Sequence, residues 1–218
     1  NFSDNDIYFT NSISSSLKLL LYKLISKNDI LLIEEPYDKK IYELFKNFKI
    51  NIIPININND GLSLKNLINI LNNNKSDNKI FLYTIPYNHN PTGITMSNMK
   101  KLVITEFSKK YKNFYIISNE SYYFLNWNVN DFKNYIPLYS FNESKIISIW
   151  DTSIFINSKL NISWICNNNI KKLFSELNSD MTYNNSTGIL ILNKLIENKT
   201  IDIFIDDINN NFKNNYSK

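Results

Sequence analysis

Short apolar runs alternate with segments of helical periodicity along most of this chain. Strand-like runs occupy residues 30–33, 50–57, 80–85, 114–117, 145–149 and 160–166. Apolar residues at helical spacing occupy residues 14–26, 39–47, 63–72, 97–111, 170–177, 186–197 and 200–218. Strands that alternate with helices favour a mainly parallel sheet, because each crossover helix packs against a face of the sheet. The pattern therefore predicts an α/β fold with helices on both faces of that sheet.

Length and cysteine content limit the architecture and the compartment. The 218 residues, 43% of them hydrophobic, suffice for one sizeable domain that spans residues 1–218. Cys166 is the only cysteine, so no internal disulfide can form, and its apolar neighbours predict a buried thiol. This usage indicates a reducing, cytoplasmic compartment. No apolar stretch reaches about 18 residues, so we expect no membrane span.

The charged residues exclude several classes of function. The net charge of +4 is spread over many lysines without a dense run, so we expect no nucleic-acid partner. His89 is the only histidine, which excludes a metal cluster or a catalytic triad built on several histidines. The chain contains no arginine. It therefore lacks the planar group that binds phosphate or carboxylate with two parallel hydrogen bonds.

A short turn follows the apolar run at residues 80–85. It reads Asn90-Pro91-Thr92-Gly93. Pro91 fixes its own φ and favours an extended Asn90, while Gly93 allows the turn to close. Open α/β sheets bind their ligands at the carboxyl ends of the strands. The turn therefore predicts that the Asn90 amide lies at a ligand site, although Asn is also a common turn former.

Four segments at helix starts and strand ends occur in one order. They are residues 10–17, 32–37, 83–93 and 116–125. Together they resemble the large domain of fold-type I, pyridoxal-phosphate-dependent aminotransferases of classes I and II, in particular the kynurenine/α-aminoadipate group. The resemblance covers nearly the whole chain and implies that the family's N-terminal segment and C-terminal small domain are absent from it. It also implies a homodimer, pyridoxal phosphate, and amino-acid and 2-oxo-acid substrates.

The resemblance assigns cofactor positions residue by residue. Asn90 falls on the Asn that bonds the ring oxygen O3′, and Tyr122 falls on the Tyr that shares this oxygen. Ser14 and Ser153 fall on phosphate-binding positions. Asn119 stands where the family has the acid that faces the pyridine nitrogen, and a neutral amide weakens the electron sink of the ring. Strand alternation predicts that the neighbouring Glu120 points to the other face of the sheet and cannot replace that acid.

The segment that carries the family's imine lysine has changed most. The family reads Ser-x-Ser-Lys there, and this chain reads Asp151-Thr152-Ser153-Ile154. Ile154 has no nitrogen and cannot form an imine. Asn161 falls on the phosphate-binding Arg, and the Asp151 carboxylate would repel a phosphate. In a shifted alignment, Lys159 becomes the lysine, but it lies too close to the next strand for the usual loop.

One more position, Asp38, departs from the family's residue pattern, and the departures together leave three functions open. Asp38 occupies the position of the ring-stacking aromatic, and Tyr37 lies one residue away. The chain is either an active aminotransferase, a degenerate homologue that acts as a scaffold, dimer partner or regulator, or a weak cofactor or amino-acid sensor like the aminotransferase-like domains of some transcription regulators. Because the lysine, acid and arginine positions have all changed, we expect a family member with impaired catalysis.

Overall fold

The computed structural model describes residues 6–74, 76–125, 135–141, 144–160, 162–170, 174 and 185–216. These residues form an eight-stranded sheet in the order β1-β8-β7-β6-β5-β2-β3-β4. The strands are β1 (Ile7–Thr10), β2 (Ile30–Glu35), β3 (Asn51–Asn58), β4 (Gly61–Leu62), β5 (Ile80–Thr84), β6 (Phe114–Asn119), β7 (Ile146–Asp151) and β8 (Ser163–Cys166). The five central strands are parallel, which confirms the predicted α/β class.

Helices connect and cover these strands. They are α1 (Ile13–Leu24), α2 (Lys39–Asn47), α3 (Leu64–Asn73), α4 (Asn98–Lys110), α5 (Ser186–Glu197) and α6 (Thr200–Tyr216). Side-chain oxygens satisfy the first N–H groups of several helices, as capping residues do. The predicted cap of α4 is confirmed, because the Ser97 hydroxyl accepts a hydrogen bond from Lys100 N at 3.3 Å. The helix predicted at residues 170–177 lies mostly outside the described residues.

The core has two parts, one on each face of the sheet. One part contains Leu31 and Ile33 of β2 with Phe45 of α2. The other contains Leu32 of β2 with Ile104 of α4. Successive side chains of a strand point to opposite faces, so the continuous apolar run of β2 supplies both parts of the core. The prediction of helices on both faces is confirmed.

The sequence prediction was wrong at the last strand and missed two short ones. A strand was expected at residues 160–166, but β8 begins at Ser163 because Ser158–Leu160 form a 3-10 turn. β8 runs antiparallel to β7, since the connection between them is too short for a crossover helix. β1 pairs antiparallel with β8, and β4 adds two residues at the other edge.

The topology positions the site. The parallel strands β2, β5, β6 and β7 all end at the same edge of the sheet. Three of the segments that carry the family resemblance follow these ends, and α1, which begins at Ile13, packs against β7. Polar residues far apart in sequence are thus brought together at this edge, as expected for an α/β sheet.

Candidate cofactor cleft

Asn90 and Tyr122 lie together, as the resemblance implies. The Asn90 Nδ2 donates to Tyr122 OH at 3.1 Å and to Asp38 Oδ2 at 2.8 Å. A primary amide has two N–H donors, so both donors of Asn90 have partners inside the chain. Gly93 has a φ of +71° and its N–H donates to the His89 carbonyl at 2.6 Å, which closes the turn beside this amide.

Asp38 occupies the place where the resemblance implies a ring-stacking aromatic. Its Oδ1 caps α2 by accepting from Lys40 N at 2.7 Å and from Ile41 N at 3.2 Å. Its Oδ2 accepts from Asn90. The ring of Tyr37 stacks on Tyr42 of α2, with centroids 4.4 Å apart. The capped N-terminus of α2 therefore occupies the position where the resemblance implies a ring-stacking aromatic.

The phenol of Tyr122 is held in its neutral form. Burial is the main effect that raises its pKa, and the nearby Asp38 charge raises it further. The hydrogen bond from Asn90 acts in the opposite direction. The two residues that keep the family's residue type thus form a neutral pair that is bonded to a carboxylate.

Asn119, at the family's acid position, forms hydrogen bonds through both the nitrogen and the oxygen of its side-chain amide. Nδ2 donates to Tyr83 OH at 3.0 Å, and Oδ1 accepts from Ser121 N at 3.1 Å. Burial raises the pKa of Tyr83 well above its usual value, so this phenol is neutral. The cleft therefore presents a neutral amide and a neutral phenol where the family has a carboxylate.

Glu120 points away from Asn119, as strand alternation predicts. Its carboxylate accepts from Ser118 Oγ at 2.8 Å, from Tyr135 OH at 2.7 Å and from Leu138 N at 3.0 Å. The Nζ of the buried Lys101 lies 3.2 Å from the centroid of the Tyr135 ring. Burial is the main effect that raises the pKa of Glu120, and burial lowers the pKa of Lys101 to about 7. Glu120 is thus the centre of a buried structural network.

Asp151, at the end of β7, lies against the start of α1. It is only 4% exposed. Its carboxylate accepts a hydrogen bond from Ser153 N at 2.6 Å. Burial is the main effect that raises its pKa, and the polar groups of Ser153 and the backbone of Ile13 oppose the rise. A buried carboxylate thus lies near the first turn of α1.

The other residues of the implied imine and phosphate sites are spread over the surface of this edge. Ile154 is half-buried in a π turn, Ser153–Asn157. Ser153 and Lys159 are exposed. Ser14 is also exposed and lines an open cavity of about 480 Å³ between α1 and α2. Asn161 lies outside the described residues.

A buried pair next to the turn was missed from the sequence. His89 Nε2 lies 3.5 Å from Glu34 Oε2, and the same oxygen accepts from Ile85 N at 2.9 Å. Burial raises the pKa of Glu34 to about 7 and lowers the pKa of His89 to about 4, so near pH 6 neither group is charged. The double acidic sequence at the end of β2 was the available signal, because a strand that is buried on both faces rarely carries an acid without a partner.

The chain belongs to the class I and II aminotransferase family. The family's sequence model matches residues 2–146, which is more than half of the chain. This match confirms the family resemblance, and pyridoxal phosphate is the cofactor that the family implies.

Individual relatives agree with this assignment. An aromatic amino acid aminotransferase of Schizosaccharomyces pombe is 26% identical over 78% of this chain and 40% of the relative. The mitochondrial kynurenine/alpha-aminoadipate aminotransferase of Mus musculus is 30% identical over 55% of this chain and 30% of the relative. The kynurenine aminotransferase of Pyrococcus horikoshii, solved with PMP, has the same fold, with a TM-score of 0.84 and 20% identity. This chain spans about half of that structure, with 95% of its own length covered.

The described residues at this edge do not fit pyridoxal phosphate. Both donors of Asn90 have partners inside the chain, and Asp38 replaces the flat aromatic. Asp151 places a buried carboxylate where the family resemblance implies a phosphate contact. In the part of the chain that the structure describes, no group of three His, Cys, Asp or Glu side chains could hold a metal ion, and no helix has the length and apolarity to span a bilayer.

Proposed function

We propose that this chain is a non-catalytic member of the aminotransferase family, which keeps the large-domain fold and serves as a scaffold, dimer partner or regulator. One observation carries the proposal: the polar groups at the cofactor positions are hydrogen-bonded to one another. Asn90 is bonded to Asp38 and Tyr122, and Asn119 is bonded to Tyr83. Transamination requires donors that are directed at the cofactor ring and an amine for the imine.

The position of Ile154 supports the same proposal. An isoleucine side chain offers no nucleophile, and it is half-buried in the turn after β7. Asn90, Asn119, Tyr122, Ser14 and Ser153 are, in this proposal, remnants of an ancestral cofactor site. The ancestral reaction transferred an amino group from an amino acid to a 2-oxo acid, and the homodimer that the resemblance implies is part of the proposal.

Ile154→Lys is the first test. We expect no measurable transamination from this variant with pyridoxal phosphate, because Asn119 leaves a protonated pyridine nitrogen without a counter-charge and the Asp151 carboxylate would repel the phosphate. The measurement is amino transfer between aromatic or aminoadipate-type amino acids and 2-oxo acids, with an active family member assayed in parallel. Ile154→Leu is the matched control for folding, since it keeps an apolar side chain of the same volume. Turnover by Ile154→Lys that exceeds the Ile154→Leu background would contradict the proposal.

A further inference from the structure

Three lysines from two helices line the open cavity of about 480 Å³ between α1 and α2. Lys18 belongs to α1, and Lys39 and Lys40 belong to α2. Glu43 is the one acid among the residues that line this cavity. The lining therefore carries three positive charges and one negative charge, and such an excess attracts anions.

The three ammonium groups have no partners in the part of the chain that the structure describes. They take part in no ion pair there, and neither do they pair with the carboxylate of Glu43. The next lysines along the sequence that form such contacts behave differently: the Nζ of Lys100, for example, lies 2.7 Å from an oxygen of Asp60. The donors of Lys18, Lys39 and Lys40 are therefore available to a ligand from solvent.

The half-buried part of the lining is apolar. It consists of Leu44 and Phe48 of the α2 region, which pack against the core. Cavities of about 300–1,000 Å³ that combine apolar walls with a few charged groups are typical of small-molecule sites. An anion with an apolar body would cover Leu44 and Phe48, whereas a bare inorganic anion would leave both in contact with water.

We propose that this cavity binds a small organic dianion, with its acidic group among the three lysines and its apolar part against Leu44 and Phe48. Two negative charges match the excess of positive charge in the lining. Of the lining residues, Ser14 alone holds a position that the resemblance assigns to the cofactor. The inference goes beyond the proposed function, because it assigns a ligand to a chain without catalysis.

Phenyl phosphate is the probe, because it joins a phosphate dianion to an aromatic ring and has no aldehyde that could form an imine. We expect saturable chemical-shift changes in the amides of α1 and α2 when the unmodified chain is titrated, and weaker binding at higher ionic strength. The double variant Lys18→Met and Lys40→Met is expected to raise the dissociation constant by about tenfold, since it removes two of the three charges. Both lysines are exposed, so the variant keeps the fold.

Lys46→Met is the matched control. Lys46 is also an exposed lysine of α2, but it does not line the cavity, so we expect its variant to bind phenyl phosphate as the unmodified chain does. Inorganic phosphate is expected to bind more weakly than phenyl phosphate, because it cannot cover Leu44 and Phe48.

Three outcomes would overturn the proposal: no saturable change in the unmodified chain, equal weakening by Lys46→Met and by the double variant, or equal affinity for inorganic phosphate and phenyl phosphate. Any of these leaves the loss of catalysis standing, because phenyl phosphate cannot report on an imine. An imine between pyridoxal phosphate and the unmodified chain would instead contradict the proposed function and leave this cavity unaffected.

Discussion

Replacing Glu120 by alanine is expected to lower the free energy of unfolding by about 3–5 kcal/mol, because a buried hydrogen-bond network loses its common acceptor. The variant leaves three donors without their acceptor, namely Ser118 Oγ, Tyr135 OH and Leu138 N. It also removes the carboxylate whose charge supports the ionised form of the buried Lys101. A buried donor without a partner costs roughly 1–3 kcal/mol, so the expected loss is a large share of a typical domain's stability.

Chemical denaturation measures this loss, with Glu120→Gln as the matched control. Glutamine keeps the volume and one acceptor oxygen, so its loss is expected to be smaller than that of alanine. A loss below about 1 kcal/mol for Glu120→Ala would place Glu120 outside the structural network. Such a result would also reopen the possibility that Glu120 acts in the cleft in place of Asn119.

Replacing Glu34 by glutamine is expected to change the pH dependence of stability. Burial raises the pKa of Glu34 from 4.5 to about 7 in the folded chain, which means that folding disfavours the ionised carboxyl. The contribution of Glu34 to the free energy of unfolding is therefore fully present below pH 4.5 and is lost as the pH rises to about 7. The loss amounts to about 3 kcal/mol, since one pKa unit corresponds to about 1.4 kcal/mol.

Glutamine does not ionise, so Glu34→Gln lacks this loss while it keeps an acceptor for Ile85 N. We expect the variant to gain stability relative to the unmodified chain as the pH rises from about 5 to 7.5, in denaturation series at matched ionic strength. His89 has its pKa lowered to about 4 by burial, so its contribution is lost as the pH falls below 6.5. Because His89 is present in both proteins, the difference isolates Glu34. A difference that stays constant with pH would show that Glu34 titrates normally.

Local patterns predicted much of the fold. The helix expected at residues 39–47 coincides with α2, because its apolar spacing and the preceding Asp38 are both local features. The proximity of Asn90 and Tyr122 was implied by the family resemblance, which places both at one oxygen of the cofactor. The antiparallel direction of β8 was not predicted, because strand direction depends on the length of the connection after β7 and not on apolarity.

The hydrogen bonds among the polar groups of the cleft could not be predicted, because they join segments that are distant in sequence. The bond between Asp38 and Asn90 joins residues 52 positions apart. The bond between Asn119 and Tyr83 joins residues 36 positions apart. From the sequence, Asp151 was expected only to repel a phosphate. The structure shows that this carboxylate is buried and accepts from Ser153 N, a local role that the residue pattern alone does not indicate.

The most direct test of this account is borohydride reduction of the unmodified chain in the presence of pyridoxal phosphate, followed by mass mapping of any modified lysine. Borohydride fixes an imine as a stable secondary amine, and an active family member provides the positive control. We expect no stoichiometric adduct and no visible imine band, because Ile154 offers no amine and the surrounding polar groups are paired inside the chain. A stoichiometric adduct at Lys159, in the turn after β7, would contradict the account and identify this chain as a cofactor-binding enzyme.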